Sequence, residues 1–369
     1  LIFAVIIEYY IHKTINMLSS IQEIVVGIFL ITIGCLICFK IYQTRNSSFY
    51  KAFLDSAFSR LKICKCLSYE KVNIKKRYFL CSLKCVLVLI SCFSSSQAQV
   101  IDYAVGAGGS GSDYGSGIAT LTDGSSVVTG DYYSSSITFG STTLTNTGDY
   151  TDIFVAKLDS NGNWVWAVGA GGSSSDYGKG IATLTDGSSV VTGYYGSSSI
   201  TFGSTTLTNA GSADIFVAKV DSNGNWVWAV GAGGSRSDYG RGISAFTDGS
   251  SVVTGFYFES SITFGSTTLT NAGGSDIFVA KLDSNGNWVW AVGAGFWDRE
   301  EGNGIASLTD GSSVVTGYYR SSPITFGSTT LTNAGSADIF VAKLDSNGTW
   351  VWAVGAGGSS SDYGKGIAT

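Results

Sequence analysis

The stretch from Asp152 to Ala170 reads DIFVAKLDSNGNWVWAVGA, and it returns with few changes from Asp214, Asp276 and Asp338, a step of 62 residues each time. Each copy holds two runs rich in β-branched and aromatic residues, separated by Ser-Asn-Gly. Such runs suit a pleated, half-buried surface, and Asn-Gly supplies the left-handed backbone of a tight hairpin. Working outward, DGSSVVTG recurs from Asp123, Asp186, Asp248 and Asp310. Its first step is 63 residues, the extra residue lying in the loop before Asp152. A fixed period of this kind marks a repeat architecture, in which one unit cannot bury its own faces and neighbours must stack.

One unit, taken from Gly180, gives three hairpins. Ile181 to Thr185 and Ser189 to Tyr195 flank an Asp-Gly-Ser turn; Ile200 to Phe202 and Thr205 to Asn209 flank Gly-Ser; Asp214 to Asp221 and Asn225 to Ala232 flank Ser-Asn-Gly. No segment after Gln99 has helical periodicity, so this part is expected to be all-β. Two strong hairpins per unit predict four-stranded blades of a β-propeller, with ITFGSTTLT inserted between the second and third strands. That insertion accounts for a unit longer than the roughly 40–50 residues usual for a blade. A β-solenoid is the competing architecture. A leading fragment around Tyr103 to Ala107 matches the last strand of a unit, and the sequence stops at Lys365 to Thr369, inside a fifth unit. We therefore expect four complete units, at about 118–180, 181–242, 243–304 and 305–366, within a repeat domain at 99–369, and a chain that is a truncated piece of a larger ring.

The succession GGSSSDYGKGIATLTDGSSVVTGYY, followed by DIFVAK and DSNGNWVWAVGAGG, resembles the bacterial β-propeller repeats known as SBBP repeats, over roughly residues 101–369. The resemblance implies extracytoplasmic, often surface-associated bacterial proteins with seven-bladed or similar propellers. It supplies no shared catalytic residues.

The first hundred residues are a different material. Residues 1–98 carry 12 Lys and Arg against 4 Asp and Glu, a net +8, while 99–369 carry 10 against 23, a net −13. All seven cysteines, the single His (His12) and the single Met (Met17) lie before Gln99. Lys75, Lys76 and Arg77 precede an apolar run from Tyr78 to Phe93 and the small residues Ser96 and Ala98, the pattern of a signal peptide at 72–98 cleaved after Ala98, or of an uncleaved anchor. A second apolar run, 24–39, is short for a span, but with Glu23 and Lys40 snorkelling at its edges it is a transmembrane candidate. The basic segment between the two runs is expected to be cytoplasmic, which places the repeats outside the cytoplasm, secreted or at the cell surface. Because signal peptides sit at a true N-terminus, translation is expected to start at Val72, with 1–71 upstream sequence read through in frame.

Charge and composition restrict function. An acidic repeat domain disfavours nucleic acid, whose phosphates need a basic face. The absence of His and Cys after Gln99 removes His-based triads and thiol chemistry; serine is abundant but has no evident base, and carboxylate pairs, as in glycoside cleavage, remain open. The tryptophan pairs Trp164/Trp166, Trp226/Trp228, Trp288/Trp290 and Trp350/Trp352 place both rings on one strand face, with Val168 continuing it. They suit either a row of platforms for sugars or packing between blades; packing is favoured, because the unit offers little Leu or Ile for its core. DSNGN has alternating oxygen donors, but its Gly is fourth rather than sixth and no acid follows at the distance a calcium loop needs, so a turn explains it. GAGGSGSDYG lacks the following helix of a phosphate loop, and its Asp is expected to cap the loop.

A unique site belongs where the copies disagree. GFWDREEGNG (Gly295 to Gly304) replaces GGSSSDYGKG, introducing Phe296, Trp297, Asp298, Arg299, Glu300 and Glu301. An aromatic pair beside mixed charge suits a recognition loop. The expected molecule is a non-catalytic binding or adhesion scaffold without cofactor or metal, whose partner is a surface glycan or a protein. It touches membrane only through its N-terminal segment, and the sequence does not fix an oligomeric state. The alternatives are a polysaccharide-active enzyme using Asp298, Glu300 or Glu301, and a membrane-anchored sensor.

Overall fold

The computed structural model describes residues 103–258 and 261–368. The signal-peptide and membrane-span expectations fall on residues outside these. Among the described residues no helix is long and apolar enough to cross a membrane.

The first unit comprises β1 (Asp113–Thr120), β2 (Ser126–Tyr132), β3 (Ser136–Phe139), β4 (Thr142–Thr145), β5 (Asp152–Leu158) and β6 (Trp164–Ala170). β1, β2, β5 and β6 form a four-stranded antiparallel sheet in that order, while β3 and β4 form a separate hairpin. The pattern repeats at 176–232, 238–294 and 300–356, giving four blades, each with an inserted hairpin between its second and third strands. A β-solenoid would carry parallel ladders from coil to coil. Here each blade's strand ladders are antiparallel and stay within the unit, with only isolated single bridges between units, parallel as at Ala213 to Ser237 or antiparallel as at Gly233 to Thr263. The architecture is an all-β propeller.

Local chemistry explains the turns. Gly187 and Gly224 sit at φ 82° and 87°, left-handed values open to glycine. Beside them Asp186 accepts hydrogen bonds from the N–H and hydroxyl of Ser188, and Asp221 Oδ1 accepts from the N–H groups of Asn223 and Asn225 at 2.9 and 2.8 Å. The same arrangement at Asp159, with Asn161 and Asn163, commits the acceptors of DSNGN to the turn itself.

The core lies between blades. Phe216, Phe278 and Phe340, one per unit on the third strand, are fully buried. Burying each contributes about 2–3 kcal/mol before the entropic cost of ordering. The inserted hairpin is docked by its own aromatic: Phe202 lies 5.0 Å from Phe216 and 5.0 Å, edge-on, from Trp226. The two tryptophans of a pair then reach in opposite directions. Trp226 donates its indole N–H back to Gly169 O of the preceding blade at 3.3 Å, and Trp166 donates forward to Ser222 O of the following blade at 3.0 Å. Tyr103, at the repeat position of Trp166, covers the turn at Gly162 as Trp166 covers that at Gly224.

The first strands of successive blades are neighbours around a common axis, and backbone meets backbone there. A Cβ on Gly180 would lie 2.9 Å from Arg241 O, and one on Gly242 3.1 Å from Asn303 O. Glycine at these positions is a requirement of that close approach. This also corrects one strand boundary. The sequence places the start of the first strand at Ile181, whereas the strand runs Asp176–Thr183 and takes in DYGKG. Segment 361–367, at the repeat position of a first strand, lies against the last blade without forming a strand, joined by a single bridge between Ser361 and Ala337 and by hydrogen bonds from Asp362 N to Ala337 O and Gly364 N to Gly317 O. At the outer faces burial is lost: Ile118 is 66% exposed where its equivalent Ile181 is 8% exposed.

Candidate functional site

The segment that breaks the repeat joins β18 (Trp288–Ala294) to β19 (Glu300–Ser307), running from an outermost strand to the innermost strand of the next blade. Its six distinctive side chains do different things. Phe296 and Trp297 stand in solvent, 45% and 59% exposed. Asp298 is anchored through its backbone, its N–H donating to Ser321 Oγ at 3.1 Å and its carbonyl accepting from Gly274 N at 2.9 Å. Glu300 is fully buried and accepts from Phe296 N and Ser321 N, both at 3.0 Å. It takes the place of Asp176, whose carboxylate accepts from Ser197 N and Oγ. Burial raises the Glu300 carboxyl, against those hydrogen bonds. Arg299 Nη2 pairs with Glu301 Oε1 at 3.1 Å, while its guanidinium lies 5.6 Å from the Phe258 ring centre.

Glu301 carries this segment to the propeller axis. There it lines a cleft of about 340 Å³ with Ser116, Lys179, Arg241, Asn303 and Lys365. Those other five occupy one repeat position, the x of Gly-x-Gly on the first strand of each unit. In each blade the pairing of first and second strands skips that residue, as between Gly178 and Gly180. A β-bulge leaves its extra residue outside the ladder and re-aims the side chain, here toward the axis.

Beside the bulge lies an aromatic collar. Tyr177 and Tyr194, cross-strand partners in one blade, have ring centres 4.8 Å apart; Tyr194 meets Tyr239 of the next blade at 4.5 Å, and Tyr239 meets Phe256 at 4.9 Å. Two carboxylates interrupt it: Asp131 at the repeat position of Tyr194, and Glu301 at that of Tyr177. Lys179 Nζ reaches Asp131 Oδ1 at 3.0 Å and sits 4.8 Å from the Tyr177 ring centre. Burial raises the Asp131 carboxyl, and Lys179 opposes the shift. The Arg241 guanidinium carbon lies 5.2 Å from the Phe256 ring centre and 5.7 Å from that of Tyr239. Burial pushes the Tyr194 phenol up to about 12, Arg241 acting against it. These are the attractions expected of cations over ring faces.

Composition and turn chemistry do not reveal this axial set, which the sequence reading passed over. A signal exists nonetheless. Within otherwise constant copies the x of Gly-x-Gly reads Ser, Lys, Arg, Asn and Lys.

No protein-family model matches the sequence. The chain is similar to an uncharacterized WD repeat-containing protein, L264, of Acanthamoeba polyphaga mimivirus, 26% identical over 236 residues. That match takes in 52% of this chain and spans 16% of the relative's length. Among solved structures, a protein of unknown function from Bacteroides caccae aligns with a TM-score of 0.30 at 10% identity, over 66% of this chain and 82% of that one. The Pan2 WD40 domain of Neurospora crassa aligns with a TM-score of 0.31 at 12% identity, over 66% of each chain.

Proposed function

We propose that this chain is a non-catalytic β-propeller scaffold of the SBBP type, displayed outside the cytoplasm, that binds a surface glycan or a protein through its repeat-breaking segment. The observation that carries this reading is local. The one copy that departs from the pattern GGSxSDYG turns two small positions into solvent-exposed Phe296 and Trp297, immediately beside the ion pair that leads to the axial cleft. Exposed aromatics next to paired charge have the composition of a binding hot spot, where a few large anchors dominate affinity. The extracytoplasmic placement rests on the sequence pattern at 72–98.

An enzyme acting on polysaccharide would draw on Asp298, Glu300 or Glu301. Glu300 has both carboxylate oxygens engaged by backbone N–H groups, and Glu301 is paired with Arg299, which favours the scaffold. The test is binding on a glycan array and to a panel of candidate surface proteins, with Trp297→Ala alongside. Loss of binding in that variant supports the reading. Sugar release that disappears in a Glu301→Gln variant favours the enzyme instead, and retention of residues 1–98 in the membrane fraction favours an anchored sensor.

A further inference from the structure

The axial cleft has an unbalanced charge. Lys179 is neutralised by Asp131 and Arg299 by Glu301. Arg241 and Lys365 line the same cleft, and neither forms an ion pair among the described residues. Arg241 is fixed by the rings of Tyr239 and Phe256, and its Nε is buried without a hydrogen-bond partner. The residue as a whole is half-buried, and its guanidinium has a planar fork of donors that matches an oxyanion. Lys365 is exposed, with its Nζ 5.2 Å from the Tyr363 ring centre. Its segment is held in place by Asn303, whose Nδ2 donates to Gly364 O at 2.8 Å.

We propose that Arg241 and Lys365 form an oxyanion-binding site at the propeller axis, taking a single phosphate or carboxylate group of a small ligand. The size of the cleft, about 340 Å³, admits a small organic anion. The net −13 of residues 99–369 repels an extended polyanion, so the local field selects a compact group. The acids facing the cleft are already committed to Lys179 and Arg299. The site is independent of Phe296 and Trp297, so it stands or falls separately from the binding role of that segment.

Calorimetric titration of the full chain with inorganic phosphate, and separately with citrate, tests the site at ionic strength held constant with sodium chloride. Saturable binding of either anion is expected, weakened roughly tenfold by Lys365→Gln and by Arg241→Gln, the loss usual for a charged hydrogen-bonding partner. Saturation by phosphate alone assigns a phosphate ligand, and by citrate alone a carboxylate. Lys365 is exposed, so its variant reports on binding even where Arg241→Gln loosens the aromatic collar. No saturable binding of either anion, or equal affinity in the wild type and Lys365→Gln, overturns the proposal.

Discussion

The indole N–H of Trp166 donates to the carbonyl of Ser222, 56 residues further along and in the next blade, and the ring lies over Gly224 in the turn that holds that carbonyl. The contact recurs from Trp228 to Ser284 and from Trp290 to Ser346. Each blade thus clamps the hairpin turn of the one that follows. Trp352, whose blade is the last of the four, is 39% exposed.

Replacing Trp228 tests the clamp. Trp228→Phe keeps most of the apolar contact and loses one hydrogen bond, and should lower stability by about 1 kcal/mol. Trp228→Ala should cost about 2–4 kcal/mol, less than a full core truncation because the ring is half-buried. Chemical denaturation of the two variants separates packing from hydrogen bonding.

Gly286 tests the same contact from the other side. Its φ is 84°, and a Cβ there would lie 2.8 Å from the Trp228 ring. Gly286→Ala adds backbone strain to a clash and should destabilise by about 2 kcal/mol or more. Pairing it with Trp228→Ala should give less than the sum of the two losses, since the clash disappears with the ring.

Acidity should stabilise this domain across neutral pH. Burial lifts the carboxyls of Asp176, Asp238 and Asp276 to about 7 and that of Asp214 to about 6, with the neighbouring blade's acid adding to three of them. Their folded-state values lie above the unfolded value, so the folded chain binds more protons. Their contribution is greatest below about pH 4 and is lost as pH rises toward 7. Residues 99–369 contain no His to obscure that window. The thermal midpoint at pH 5.5 should exceed that at pH 8, and Asp276→Asn should flatten the difference. The turn residues Asp159, Asp221 and Asp283, held low by hydrogen bonds from their Asn neighbours, act in the opposite direction at more acid pH.

Lys179 and Asp131 should be strongly coupled. Asp131 is 3% exposed, so Lys179→Met strands a buried carboxylate and should cost about 3 kcal/mol. Adding Asp131→Tyr, which restores the aromatic of the equivalent position, should recover most of it. A double-mutant cycle by denaturant unfolding measures the coupling.

The parts of the fold legible in the sequence are those in which local chemistry and tertiary need agree. Gly224 and Asp221 form the turn that SNG and its Asp require, and Ser189–Tyr195 is a strand because its β-branched residues are buried on both faces. ITFGSTTLT stands apart as an insertion because Phe202 and Leu207 give it a small apolar face of its own. Illegible was Asp176–Gly180, which resembles a loop. Its glycines serve close backbone contact at the axis, a long-range demand that leaves no periodic trace. The axial residues were hidden for the same reason, each being one bulged side chain per unit. Of the repeat-breaking segment, the sequence identified the residues but not that Glu300 would substitute for a buried Asp. That depends on a longer side chain reaching the amides of Phe296 and Ser321.

The central claim is that what the copies share is packing and what they do not share is available for recognition. Thermal unfolding of Trp228→Ala beside Trp297→Ala tests it directly. The account predicts a midpoint lowered by roughly 6–12 °C for Trp228→Ala and by no more than about 2 °C for Trp297→Ala. A large loss for Trp297→Ala together with none for Trp228→Ala would contradict it.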